Sequence, residues 1–478
     1  MNVLTNDPVI KPPIRIVHLG LGAFFRAFGL AYLERLNASI EAQEDRYGVM
    51  GVSFRSPQVR DALAAQGFTY TALERGGQGD IARTITSLCD VALSLQEQSR
   101  ILAQMADVAV SIVSLTVTEK GYCQRDGALD LSHPDIVHDI ANPQNPISAP
   151  GYIVAALALR RTAGIAPFSC LSCDNLFDNG RVLARVVIQL AEQIDRTLAA
   201  WIAAEVCFPV TMIDRIVPAT TDADRANVLK ITGHKDHAPV THEPFSQWVI
   251  EDNFGPLGRP DFASVGVQMV DQVAPYESMK LRCLNGSHTA LAILGSLRGK
   301  STVRAAISDA VLSRYITSLW EVEICPSVDV PLGVDISAYC DDLRNRYSNP
   351  AIVHLTAQIA SDTSKKLPPR ILATLADNLA AKRPIGRLCL VIAGWMRFIQ
   401  AAQIAGEAVH DPLERQFSQI IKTAATPDDY VTAMLGLESV FPVDLALQAD
   451  VVTQVKSWYA LIATDGIEVC LQRVTKEA

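Results

Sequence analysis

Short apolar runs alternate with longer amphipathic ones through the first half of the chain. Ile14–Leu19 is an apolar run of strand length; it meets Gly20-Leu-Gly22 and then an apolar-rich segment, 23–36, that suits a helix. Further β-type runs lie at 47–54, 108–117, 167–172 and 210–213, with helical patterns between them, notably 152–161 and 181–204. Strands alternating with helices predict a mainly parallel sheet covered on both faces.

After about residue 275 the pattern changes. Helical periodicity dominates at 276–297, 303–320, 351–360, 371–381, 388–402 and 451–471, and strand signals are sparse. The expectation is an α/β fold in two parts: residues 1–274, built on the parallel sheet, and residues 275–478, mainly α-helical. The length of 478 residues favours two cores over one. No internal repeat or low-complexity segment is evident.

Composition narrows the class. Hydrophobic residues make up 49% and charged residues 19%, enough to fill large cores. The net charge of −9 argues against a general nucleic-acid or anionic-membrane binder. No apolar run reaches the roughly 18 residues needed to span a bilayer, and Met1 to Pro13 carries no apolar signal core. A cytoplasmic enzyme, monomeric or a small homo-oligomer, is expected. The ten cysteines are scattered, which argues against a disulfide framework. Cys170 and Cys173 form a lone CxxC inside an apolar run and read as buried thiols.

The strand–Gly20-x-Gly22–helix unit is a candidate dinucleotide site. Glycine lets the backbone approach a pyrophosphate, and a helix N-terminus offers free N–H groups. A tight turn alone is the plainer alternative, since Phe25 stands where the third glycine of the usual fingerprint would be; placed at the start of an α/β region, the unit supports a Rossmann-type dinucleotide-binding domain as the expectation.

The second candidate is Glu277-Ser-Met-Lys280-Leu-Arg-Cys-Leu-Asn285-Gly-Ser-His288. On an α-helix, Glu277, Lys280 and His288 fall within roughly 80° of one another, with Asn285 about 60° further round. The helix is otherwise apolar and lies at the expected domain junction, where pockets are favoured. A lysine desolvated there becomes a usable base. Tyr276 and Lys280 also spell YxxxK, but the chain is too long, the motif too late and the glycine spacing wrong for a short-chain dehydrogenase. No Cys/His/Glu set at suitable spacing supports a zinc-dependent alcohol dehydrogenase, so no metal is expected.

These residues resemble the polyol-specific long-chain dehydrogenases, the mannitol dehydrogenase family that includes fructuronate reductases. The resemblance rests on 16–27, Val113–Glu119, Ser172–Leu176, Asp214–Pro218, Gln247–Asp252 and above all Lys280-x4-Asn285-x2-His288. It implies an NAD-dependent, metal-independent oxidoreductase interconverting a secondary alcohol and a ketone on a small sugar acid or polyol. Lys280 would transfer the hydroxyl proton, and Asn175 and Asn285 would hydrogen-bond the developing alkoxide. His288 would position the reacting hydroxyl, Glu277 would relay protons, and Asp214 would bind a substrate hydroxyl. An Asp214–Arg215 ion pair is the plainer alternative for that acid. Gly20, Gly22, Phe24, Arg26 and Thr116 lie in the segments expected at the cofactor. One departure is Phe28, where members usually have histidine. Phe54-Arg55-Ser56 offers no carboxylate for a ribose hydroxyl, so Arg55 leaves NADP open.

Thr116–Cys123, Asn285-Gly-Ser-His288, Lys366-Leu-Pro-Pro-Arg370 and Ala393–Arg397 look more like the fructuronate reductase (D-mannonate oxidoreductase) branch than the mannitol branch. Lys366 and Arg370, on a stretch expected to be held extended by its prolines, would supply charge for a substrate carboxylate, or else belong to a solvated stretch before the helix at 371. A mannitol-, arabinitol- or sorbitol-type dehydrogenase is the alternative enzyme. A nucleotide-binding sensor is the alternative from another class, disfavoured because a sensor has no use for a proton-transfer lysine.

Overall fold

The computed structural model describes residues 10–54, 57–77, 79–125 and 127–476. The chain divides into two compact units, Met1–Ala274 and Pro275–Ala478.

The first unit is built on a five-stranded parallel sheet. Its strands are β1 (Ile14–Leu19), β2 (Gly48–Ser53), β3 (Leu88–Leu93), β4 (Ile112–Leu115) and β5 (Ser169–Ser172). In space they run β3-β2-β1-β4-β5, every neighbouring pair parallel. The order reverses direction beside β1, which is where doubly wound sheets open a crevice at their C-terminal ends. Alternation along β1 explains the two covered faces. Ile16 packs with Phe25, Phe28 and Leu33, whereas Val17 and Leu19 pack with Ile153, Val187 and other residues of the helices Ala149–Ala163 and Asn179–Ile194.

Several periodic segments are interrupted. The 23–36 pattern is two helices, Ala23–Ala27 and Gly29–Ser39, with Phe28 between them. Phe28 is buried against Phe24, Tyr32 and Trp248, which accounts for an aromatic side chain at this position. The 181–204 pattern breaks at Asp195, whose carboxylate caps the second helix by accepting from Thr197 N–H. Two three-stranded sheets and a two-stranded one, Gln124–Arg125 with Ala128–Leu129, add to the unit. A hairpin, Tyr70–Gly76 with Gly79–Ile85, pairs with Val240–His242; the strand Thr211–Asp214 lies antiparallel to Gln247–Glu251. The hairpin is absent from the sequence reading because its second strand is largely exposed and lacks an apolar run.

The second unit is helical. Among its described residues the β-type pairing is a single bridge, Thr302 to Leu355. One large core joins Leu291 and Leu294 to Ile392, Trp395, Val431 and Val455. The expected long helix at 276–297 is three consecutive pieces: α-helix Ala274–Met279, π-helix Lys280–Gly286 and α-helix Ser287–Leu297. Two more π-helical stretches, Trp320–Ile324 and Pro368–Leu372, pack against the first. The segment carrying Lys366 and Arg370 is therefore helical, not extended. Pro368 and Pro369 lie inside a continuous helical run, 363–380, at the point where its π-helical stretch begins, and Pro368 keeps helical backbone angles, φ −53 and ψ −56.

Candidate active site

In the first unit a cavity of about 390 Å³ opens at the C-terminal ends of β1, β2 and β4, lined by Gly20, Gly22, Ser53, Phe54, Thr116 and Lys120 among others. Gly20 has φ +87 and donates its N–H to Val52 O, so the chain turns sharply out of β1. A Cβ at Gly20 would strike Thr116 O, whereas one at Gly22 would find only Gly20 O, at 3.9 Å. Gly20 thus closes the turn, and Gly22 leaves the open approach that a pyrophosphate needs. The residues fit a dinucleotide.

Phe25 compensates for the missing third glycine. It lies flat on the His18 ring, with centroids 3.4 Å apart, and Gly29 supplies the space, since a Cβ there would strike the Phe25 ring. His18 joins β1 to β4, its two ring nitrogens 2.9 Å from Ser114 Oγ and from Thr116 Oγ1. Burial holds its pKa well below the usual histidine range, so the ring is neutral.

The loop beyond Thr116 is fixed by Asp174, a residue whose role the sequence did not disclose although it lies in a quoted motif. Its carboxylate accepts from Val117 N–H (3.0 Å), Thr118 N–H (2.8 Å) and Tyr122 O–H (3.0 Å). Asn175 follows it, exposed, just past β5. Asn179 steadies this turn by donating to Asp174 O and Thr211 O. Asp214 is buried at the end of its strand, in register with Gln247. The ion pair with Arg215 does not form: Arg215 donates to the carbonyls of Ala27, Phe245 and Pro244 instead.

Two expected cofactor residues sit elsewhere. Arg26 is buried, donates to Ala238 O at 2.7 Å and lies over the Tyr70 ring; Phe24 stacks on Phe28. Neither lines the cavity. Arg55 lies outside the described residues.

In the second unit Glu277 and Lys280 are each only 7% exposed. Lys280, Asn285 and His288 span the π-helical stretch, which turns less per residue than the 100° of an α-helix, so the angular spacing read from the sequence does not hold. Local and distant donors meet on two of its carbonyls, Ser287 Oγ donating to Cys283 O and Leu284 O. Trp320 Nε1 donates to Cys283 O at 2.9 Å and Tyr347 Oη to Leu284 O at 2.8 Å. Both carbonyls are thus engaged by side chains from distant segments.

His288 lies between two rings, Tyr347 and His354, with centroids at 5.3 and 5.4 Å. Its Nε2 is buried with no hydrogen-bond partner, and a buried polar atom of this kind calls for an explanation. Burial first, then the charges of His354, Arg370, Arg346 and Lys366, hold its pKa well below 6.5.

Arg370 donates to Thr289 Oγ1 at 3.1 Å, and among the described residues it has no carboxylate partner. Burial pulls its pKa down to about 10. Lys366 differs: its Nζ donates to Ile359 O (3.0 Å) and Ser361 O (2.5 Å), so it closes a helix end instead of presenting a charge. Ala393–Arg397 lies in a core helix behind the site, where a Cβ at Gly394 would meet Leu294 at 2.6 Å. Tyr347, His354 and Arg346 were not predicted; they come from a segment with no motif in the sequence.

The mannitol dehydrogenase Rossmann domain matches residues 14–263, and the mannitol dehydrogenase C-terminal domain matches residues 272–463. The chain belongs to the mannitol dehydrogenase family. D-mannonate oxidoreductase of Escherichia coli strain K12 is 40% identical over 482 residues, covering 98% of each chain. An uncharacterised oxidoreductase of the same strain, YeiQ, is 41% identical over 437 residues, covering 90% of this chain and 88% of its own. The structure of Pseudomonas fluorescens mannitol 2-dehydrogenase in a ternary complex with NAD and D-mannitol is similar with a TM-score of 0.84 at 33% identity, covering 98% of this chain and 95% of that one. This member of the mannitol dehydrogenase family is an oxidoreductase acting on CH–OH groups. None of its described helices is long and apolar enough to cross a membrane.

Proposed function

We propose that this protein interconverts D-mannonate and D-fructuronate with NAD, without a metal in the reaction. The observation that carries the choice of a sugar acid is Arg370: a half-buried guanidinium, close in space to His288, with a threonine hydroxyl and, among the described residues, no carboxylate as its side-chain partner. Leaving such a charge unpaired is costly, and a carboxylate matches its fork. The full-length similarity to a D-mannonate oxidoreductase supports the same reading. Lys366 is not part of it, because its ammonium is spent on carbonyls.

The unpartnered Nε2 of His288 suits a substrate hydroxyl. Because the ring is neutral, it orients that hydroxyl without adding charge. Lys280, buried and at the start of the π-helical stretch, takes the hydroxyl proton in oxidation and returns it in reduction. Glu277 relays that proton to solvent. Asn285 and Asn175 donate to the oxygen as it gains negative charge, and Asp214 accepts from a substrate hydroxyl. Gly20, Gly22 and Thr116 hold the dinucleotide, which supplies hydride acceptance and donation when bound.

Steady-state reduction of D-fructuronate and D-fructose with NADH tests the proposal. A kcat/KM strongly favouring fructuronate is expected. A preference for fructose would move the chain to the polyol dehydrogenases, the reading supported by its similarity to a mannitol 2-dehydrogenase structure.

A further inference from the structure

The helical unit brings three cysteine sulfurs together. Cys283 lies in the π-helical stretch after Lys280, Cys325 just past the stretch Trp320–Ile324, and Cys340 on the helix Ile336–Tyr347. The three sulfurs lie within 4.8 Å of one another, and those of Cys325 and Cys340 are 3.7 Å apart. All three are free thiols; Cys283 and Cys340 are buried and Cys325 is half-buried. Among the described residues no other group brings three sulfurs together in this way.

Buried cysteines often serve only as small apolar residues, and Cys170, Cys173 and Cys389 fit that description. Convergence from three separate segments calls for more. A tetrahedral thiolate site with metal–sulfur bonds of about 2.3 Å has sulfur–sulfur edges of roughly 3.7–3.8 Å. The Cys325–Cys340 separation matches that edge. Cys283 would complete the face with a small side-chain rotation. A water would complete the coordination at the fourth position. Sulfur donors exclude calcium and magnesium and select soft or borderline ions.

We propose that Cys283, Cys325 and Cys340 form a three-thiolate site for a soft divalent cation of the zinc and cadmium class, separate from the dehydrogenase chemistry. The site departs from the metal-free reading of the sequence because its ligands share no local spacing. A bound ion would tie together the segments carrying Lys280, Trp320 and Tyr347, and its binding would release thiol protons.

The test uses the full chain, stripped with a chelator and titrated with cadmium chloride. Two readouts are followed: the ultraviolet thiolate-to-cadmium band, and alkylation of Cys325 mapped by peptide mass spectrometry. A band that saturates at one ion per chain is expected, with Cys325 protected while the half-buried Cys89 and Cys207 react as before. Cys325→Ser and Cys340→Ser should each weaken binding by roughly 100-fold or more, since even residues that only support a ligand are worth about 10- to 100-fold. The alkylation readout uses the unmutated protein, so it stands even if a variant misfolds. Absence of the band, unchanged Cys325 alkylation, or protection falling on Cys123 would each overturn the proposal. So would a Cys325–Cys340 disulfide forming under a mild peroxide in protein that does not bind cadmium.

Discussion

Gly286 lies against the backbone of Arg370: a Cβ built on the glycine would sit 2.9 Å from the Arg370 carbonyl oxygen. Two π-helical stretches, one carrying Lys280 and one carrying Arg370, touch at this point. Real Cβ atoms do not approach backbone oxygen so closely, so Gly286→Ala must push the stretches apart. Overpacking of this kind costs about 1–3 kcal/mol, and a shift near 1 Å at reacting groups costs on the order of 100-fold in rate. The variant should show a lowered Tm and a kcat/KM reduced on both acid and neutral substrates. An unchanged kcat/KM would mean that this contact does not set the site.

Arg370→Ala should act differently. One charged hydrogen bond to a buried carboxylate is worth roughly 1.5–3 kcal/mol, about one to two powers of ten. The loss in kcat/KM is expected for D-fructuronate and not for D-fructose, so the ratio of the two is the number to measure. Lys366→Ala removes a helix-end contact and should affect both substrates alike. Equal losses for both substrates in the Arg370 variant would assign the arginine to structure.

Lys280→Ala should lower kcat by roughly 10² to 10⁴ and leave NADH affinity unchanged, because proton transfer and dinucleotide binding draw on different residues. Fluorescence titration with NADH alongside turnover separates the two. A variant with near wild-type kcat at neutral pH refutes the role.

Gly22→Val probes the cofactor cavity. Space at Gly22 is open on the cavity side, so the fold and Tm should be unaffected while the valine occupies the pyrophosphate approach. NADH affinity should weaken by roughly tenfold or more, about 1.4 kcal/mol. Unaltered NADH binding would place the cofactor elsewhere.

Acid should destabilise the protein below about pH 6.5. Burial, then the Arg215 charge, holds His242 down to about 4, and burial keeps His18 and His288 well below 6.5. The unfolded chain titrates these rings near 6.5. Between that value and the folded pKa the unfolded state binds more protons, so stability falls as pH drops through this window and these groups add no slope above it. Tm measured from about pH 8 to about pH 5 should show the fall, and His242→Gln should reduce its steepness. A slope unaltered in that variant would show that His242 takes no part.

The sequence by itself determined what local chemistry can encode. Apolar runs of strand length followed by amphipathic helices fixed the α/β first part, because burial on both faces of a parallel sheet leaves that pattern in the chain. Gly20 and Gly22 marked the turn after β1, and Lys280, Asn285 and His288 stood out as polar residues in an apolar helix. Tertiary structure decided the rest. Nothing local separates Lys366 from Arg370; the carbonyls of Ile359 and Ser361 capture one and not the other. Arg26 reads as a cofactor residue until Ala238 O and the Tyr70 ring claim it. Trp320 and Tyr347 reach the Cys283 and Leu284 carbonyls of the π-helical stretch from distant segments, a contact that local spacing does not announce. The three converging thiols belong to segments far apart in sequence. Periodicity reports which side of an element is buried, but a hydrogen bond or a sulfur contact between distant segments exists only once the chain has closed on itself.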